Sequence, residues 1–264
     1  MKIYFNTGIK VLFFIFFIFF IVTSCGLLTG FPVNTESASE VRAGDSAQTN
    51  MQYVERLNQD GWPAEKLNTA KNADYLTDIE KNMVLAHNLI RYNPERYADL
   101  YVTEYIEYYQ GREFHYPGHD VIMMTREGVS PARELYRELS RTEPLPLLYP
   151  SEKLSAAARS HAEYQGQTGE TGHDGQGGML ARIEREGEWE NTIGENIAYG
   201  NWSAHDAIMG LMIDDGVPDR GHRINILEED FRVIGVAHDF HPQFEGGVYV
   251  INYAGGFEDV KPDL

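Results

Sequence analysis

Three short motifs in the C-terminal part of the chain hold the side chains with chemistry to offer. They are Thr171-Gly172-His173-Asp174-Gly175, Gly194-Glu195-Asn196-Ile197-Ala198 and Arg220-Gly221-His222-Arg223-Ile224-Asn225-Ile226-Leu227. Each sets one metal-capable or proton-handling group beside a glycine or a compact polar turn. Neutral imidazoles such as His173 and His222 ligate zinc, copper or nickel, and a carboxylate such as Glu195 completes or orients such a set. Zinc with an open coordination position, and Glu195 as general base, would make a hydrolase. A shared cleft without metal is the other reading, with Glu195 accepting hydrogen bonds from a histidine or from backbone amides. Neither His173 nor His222 belongs to a His-x-x-x-His or His-Glu-x-x-His unit, so spacing alone does not select a metal. There is no Gly-x-Ser-x-Gly elbow.

These segments lie far apart, so the elements between them must bring them together. Asp78 is expected to cap a helix with Ile79, Met83, Ala86 and Ile90 along one face. Asn93-Pro94 stops it and starts another, because Asn caps well and Pro suits the first helical position. The tyrosines at 97, 101, 105, 108 and 109 are expected to pack half-buried, with an aromatic-binding surface as the alternative. Residues 110–128 read as a connecting excursion. Ser130-Pro131 opens a helix, residues 143–150 run extended, and Ser151 caps a helix with Leu154, Ala157, Ala158, His161 and Ala162 on one face. Thr192–Gly200 holds a short strand. Ser203 with Asp206 forms a capping box ahead of the next helix. Val233–Phe240 and Val248–Ala254 form a late hairpin. Helices first and strands late indicate an α+β domain. His161 is expected in the core, Asn196 and Arg223 are expected to hold loops, and none of the remaining histidines is expected to be a ligand.

The N-terminus reads as an export signal. Lys2 and Lys10 precede an unbroken apolar run from Val11 to Val22, too short for a membrane-spanning helix. It ends at Val22-Thr23-Ser24-Cys25, a small residue before the chain's single cysteine. Residues 1–24 are therefore expected to be a lipoprotein signal peptide, with Cys25 lipidated and holding the protein to a membrane. Residues 25–75 are expected to be a flexible tether and loosely packed lead-in, and 76–264 the folded domain. With one cysteine there is no internal disulfide. The formal charge of −18 excludes nucleic acid as a partner and argues against adhesion to anionic lipid by charge.

Taken in order, the motifs resemble the CAP superfamily (cysteine-rich secretory, antigen 5 and pathogenesis-related proteins), in its bacterial SCP-like branch. Asn88-Leu89-Ile90-Arg91-Tyr92-Asn93-Pro94 resembles the first helix. Pro144-Leu145-Pro146-Leu147 with the Ser151 helix resembles the second. Asp214-Asp215-Gly216-Val217-Pro218-Asp219-Arg220-Gly221-His222-Arg223 is the longest match. Val233-Ile234-Gly235-Val236-Ala237 and Tyr253-Ala254-Gly255-Gly256-Phe257 resemble the closing strands. The resemblance implies a three-layer α-β-α sandwich with a central antiparallel sheet and an open cleft. It implies that His173, Glu195, His222 and Asp214 face that cleft and hold a divalent metal, Zn2+ foremost. Asp215 is the alternative fourth group, because the family's usual tryptophan and glutamate are replaced at Leu211 and Asp214. It further implies an exported protein of the bacterial cell envelope whose cleft takes a small molecule, a lipid or a protein partner.

Overall fold

The computed structural model describes residues 2–4, 10–13, 48–117, 122–200 and 203–259; Cys25 and the expected tether up to 47 lie outside the described residues. Two strands, β1 (Lys2–Tyr4) and β2 (Lys10–Phe13), fall within the expected signal peptide. Helices α1 (Asn50–Gln59) and α2 (Ala64–Leu67) follow. Helix α3 (Asp78–Tyr92) leads into α4 (Pro94–Tyr97), a π turn over Ala98–Val102 and α5 (Thr103–Glu107). Strands β3 (Tyr109–Gln110), β4 (Glu113–His115) and β5 (Ile122–Met124) precede α6 (Ser130–Leu139), β6 (Tyr149–Pro150) and α7 (Glu152–Thr168). A 3-10 turn at Gly175–Gly177 joins α8 (Gly178–Glu186) to β7 (Trp189–Tyr199). The chain closes with α9 (Ala204–Ile213), α10 (Gly221–Leu227), β8 (Val233–His241) and β9 (Phe244–Phe257).

The central sheet runs β1-β2-β7-β9-β8-β6. Its middle, β7-β9-β8, is antiparallel. The short β6 joins β8 in parallel, and β2 lies parallel along the outer edge of β7 from Thr192 to Glu195. Side chains alternate across a strand. Ile193 and Ile197 of β7 pack in the clusters built with α7, whereas Ala198 packs in the cluster built with α3 and α9. The result is a three-layer α-β-α sandwich, as the motifs imply. Gly235 lets α7 lie close on β8: a Cβ there would stand 2.2 Å from the carbonyl carbon of Leu154.

Local capping explains where the helices begin. Thr77 and Glu80 form a reciprocal capping box, so Thr77 and not Asp78 is the cap of α3. Asn93, Ser151 and the Ser203/Asp206 box cap α4, α7 and α9 as the sequence indicates. Strand β7 is longer than expected and the late hairpin is present. The excursion at 110–128 carries a small sheet of its own, β3-β4-β5.

One boundary needs correction. The stretch 51–75 is not a loose lead-in: Tyr53, Leu57, Trp62, Leu67 and Ala70 are fully buried in the main core. Tyr53 and Leu57 sit one turn apart and form one face of α1, which lays them against the body. The packed unit therefore starts near Asn50. No helix among the described residues is long and apolar enough to cross a membrane.

Candidate functional site

Glu195 sits mid-strand on β7 and is fully buried on the α7 side of the sheet. A buried carboxylate needs partners for its charge. Arg182 of α8 supplies them, its Nη2 donating to both carboxylate oxygens at 2.7 and 2.8 Å. His173 Nδ1 meets Oε1 at 2.7 Å. Burial pushes the Glu195 carboxyl up. The hydrogen bond from His173 and the positive charge of Arg182 outweigh that and hold it at about 2. Arg182 Nη1 also donates to the carbonyls of His173 and Gly175, at 2.9 and 2.6 Å. It thus ties the loop bearing His173 to the strand bearing Glu195. His161, buried on α7, bonds the Gly172 carbonyl at 2.8 Å and braces the same loop.

Asp214 and His222 form a second pair. Asp214 ends α9 in a left-handed conformation, φ 59°. It accepts from His222 Nδ1 at 2.6 Å and from the His222 backbone N–H at 3.0 Å. Both residues are fully buried. Asn196, the neighbour of Glu195 facing the opposite way, donates to the His222 carbonyl at 3.0 Å and to the Tyr253 hydroxyl at 3.2 Å. Asn225 donates to Asn196 Oδ1 at 2.8 Å. The two histidine pairs are therefore coupled through adjacent residues of β7, Glu195 to the His173 ring and Asn196 to the His222 main chain.

Arginines fix the His222 segment. Arg223 is fully buried and donates to the carbonyls of Met212, Ile213 and Pro131 and to Glu134 and Glu138 of α6. Arg220 bonds Glu127 and Glu134. Asn196 and Arg223 hold loops as expected. Asp215, the alternative fourth group, points elsewhere: its carboxylate accepts from the backbone N–H groups of Arg126 and Glu127, at 2.6 and 2.8 Å.

The set His173, Glu195, Asp214 and His222 does not fit a metal centre in which the carboxylates are ligands. Both oxygens of Glu195 are taken by a permanently cationic guanidinium, and a divalent ion there would face that charge at close range. Both oxygens of Asp214 are taken by His222. Among the described residues, no group of three or more His, Cys, Asp or Glu side chains is arranged to hold a metal ion. Each carboxylate instead meets Nδ1 of its histidine and so orients the ring. Glu195 also lacks the basicity of a general base, since a carboxylate held at about 2 takes a proton poorly at neutral pH.

Sequence reasoning missed Arg182. Its signal is the stripe Met179, Arg182, Ile183 on α8, all buried, in which the arginine shares the apolar face.

The model of the cysteine-rich secretory protein family, CAP, matches residues 84–253, and the chain belongs to that family. A solved structure of an extracellular protein containing an SCP domain, from Bacillus anthracis str. Ames, is similar at 22% identity. The match covers 47% of this chain and 37% of that one, with a TM-score of 0.34. No curated protein matches this chain.

Proposed function

We propose that the chain is an exported protein of the bacterial envelope, held by lipid on Cys25, whose CAP domain works by binding. The observation that carries this reading is the closed charge network of Glu195. Arg182 and His173 use its oxygens and tie the 172–175 loop to β7, which makes a rigid polar floor and not a catalytic base. Rigid, prepaired polar groups favour recognition, because little ordering remains to be done when a partner arrives. Loss of residues 1–24 on export would remove β1 and β2 and uncover the outer edge of β7 beside Glu195. An open strand edge offers backbone donors and acceptors to an extended segment of a partner protein. That favours a protein ligand over a small molecule at this edge.

Zinc calorimetry on the full chain in non-ionic detergent tests the reading, with excess magnesium to suppress loose binding to the acidic surface. The wild type, His173→Ala and His222→Ala are expected to show no shared stoichiometric site. One site in the wild type that both changes abolish would overturn the binding-only reading and restore the metal one. Anchoring is tested by incorporation of labelled fatty acid in the bacterial host. The label should be absent from Cys25→Ser, and label retained in that variant would sink the assignment.

A further inference from the structure

A second cavity, away from His173 and His222, is lined by tyrosines. Tyr101, Tyr105 and Tyr108 recur at helical spacing and fall on one stripe of the run through α5, and Tyr116 joins them after β4. Together they border a cavity of about 260 Å³. The rings touch edge to face: Tyr105 and Tyr116 centroids stand 6.0 Å apart and Tyr108 and Tyr116 centroids 5.6 Å. The cavity opens to solvent on one side, where Glu104 is exposed and Tyr101 and Tyr108 are half-buried.

The charges around the opening are unequal. Asp60, Glu104 and Asp206 line it against one guanidinium, Arg56. Asp206 is buried and accepts from the hydroxyls of Tyr105, Tyr116 (3.1 Å) and Ser203 (2.7 Å). Glu104 accepts from the Tyr108 hydroxyl. His205, the remaining basic group in the lining, adds no charge at neutral pH. Burial holds its pKa down to about 4, and its two nitrogens meet the hydroxyls of Tyr53 and Tyr97.

We propose that this cavity binds a small organic ammonium ion, a quaternary or fully alkylated amine, over the rings of Tyr101, Tyr108 and Tyr116 and opposite Asp60, Glu104 and Asp206. Tyrosine rings alone would accept any small apolar group. Carboxylates alone would accept hydrated metal ions. Only an alkylated cation uses both walls, since its surface is greasy and its charge is not hidden in a hydration shell. Arg56, whose guanidinium lies 5.2 Å from the Tyr53 ring centroid, is the built-in competitor for the negative field.

Choline chloride is the probe, titrated calorimetrically into the full chain in non-ionic detergent at constant ionic strength. Its neutral carbon isostere, 3,3-dimethylbutan-1-ol, is the control. One saturable choline site is expected, with the isostere weaker by about tenfold or more. Tyr108→Phe keeps the ring and should bind within about threefold of wild type, whereas Tyr108→Leu should weaken binding by about 3- to 30-fold. Arg56→Gln should tighten it. Absence of a choline site would overturn the proposal, as would an isostere that binds equally well. Equal losses in Tyr108→Phe and Tyr108→Leu would overturn it too, by assigning the effect to the hydroxyl and its bond to Glu104. Should the Leu variant fail to fold, the isostere and Arg56→Gln decide the matter alone.

Discussion

Replacing Arg182 by Met should destabilise the domain strongly at neutral pH and much less in acid. The change keeps the apolar stem in the core but removes the guanidinium from Glu195, which has no exposure of its own. Breaking a buried ion pair from one side costs about 3–5 kcal/mol, because the remaining charge stays buried. Glu195 is held at about 2 against an ordinary 4.5, the net of burial against the His173 hydrogen bond and the Arg182 charge. For a body of this size 1 kcal/mol moves the melting temperature by about 2–4 °C, so a fall of about 6–20 °C is expected at pH 7. The sign with pH follows from linkage. In the wild type the folded pKa is depressed, so the stability it contributes is complete above 4.5 and is lost as pH falls from there towards 2. In the variant, burial without the guanidinium raises the Glu195 carboxyl, and protonation on acidification relieves the penalty. The gap between the two proteins should therefore narrow from pH 7 to pH 4, followed by circular dichroism melts. His87 and His205, both pushed down to about 4 by burial, lower stability between 6.5 and 4 in both proteins alike and cancel in the difference. A gap that stays constant or widens would refute the account of Glu195 as a carboxylate held ionised by Arg182. So would a double variant, Arg182→Met with Glu195→Gln, that loses as much as the sum of the single changes.

Two further predictions test packing and pairing. Asp214→Asn keeps a residue tolerant of the left-handed conformation at φ 59° but removes the charge facing His222. It should cost about 1.5–3 kcal/mol, and Asp214→Ala more, read as an ordered fall in melting temperature; an Asn variant as stable as the wild type would show that the charge contributes nothing. Gly235→Ala drives a Cβ into the backbone of Leu154 and Ser155 at 2.2–2.5 Å and should lower the melting temperature sharply or abolish soluble expression. Its control, Gly210→Ala in α9, meets nothing within 4 Å and should gain about 0.5–1 kcal/mol.

Much of this molecule is legible one residue at a time, and the failures have a common cause. Caps at Asn93, Ser151 and Ser203 act through neighbours three residues on, so local sequence carries them. The motif residues His173, Glu195 and His222 are all buried polar groups and are visible as types. What local sequence does not carry is which partner each one finds. Glu195 looks like a base or a ligand until Arg182 is placed against it from a different helix. Arg182 itself reads as a solvated charge in a polar stretch unless its place between Met179 and Ile183 is weighed. The same blindness affects 50–76. Its buried residues are spread over two short helices and turns, too short to show a period, and only contact with α3 reveals them as core. The Thr77/Glu80 box, by contrast, is a local signal with the same spacing as the Ser203/Asp206 box.

Buried arginine is the recurring device, and the cysteine count explains why a device is needed. The chain's single cysteine precedes the packed body, so no disulfide closes its loops. Arg91, Arg182 and Arg223 are the largest fully buried side chains described, and each joins segments distant in sequence. Arg91 donates from α3 to the carbonyls of Pro146, Ile226, Glu228 and Phe231. Arg182 joins the His173 loop to β7, and Arg223 joins α6 to the end of α9. Burial disfavours these charges and lowers the Arg91 pKa to about 10. They stay buried because a planar guanidinium offers five donors in fixed directions, enough to meet several carbonyls at once. Lysine has three donors on one point and would leave carbonyls unpaired. The arginines therefore do by hydrogen bonding what cross-links do in disulfide-bonded domains. Two of the three, Arg182 and Arg223, lie beside the histidines: Arg182 holds the His173 carbonyl, and Arg223, the next residue after His222, holds the end of α9.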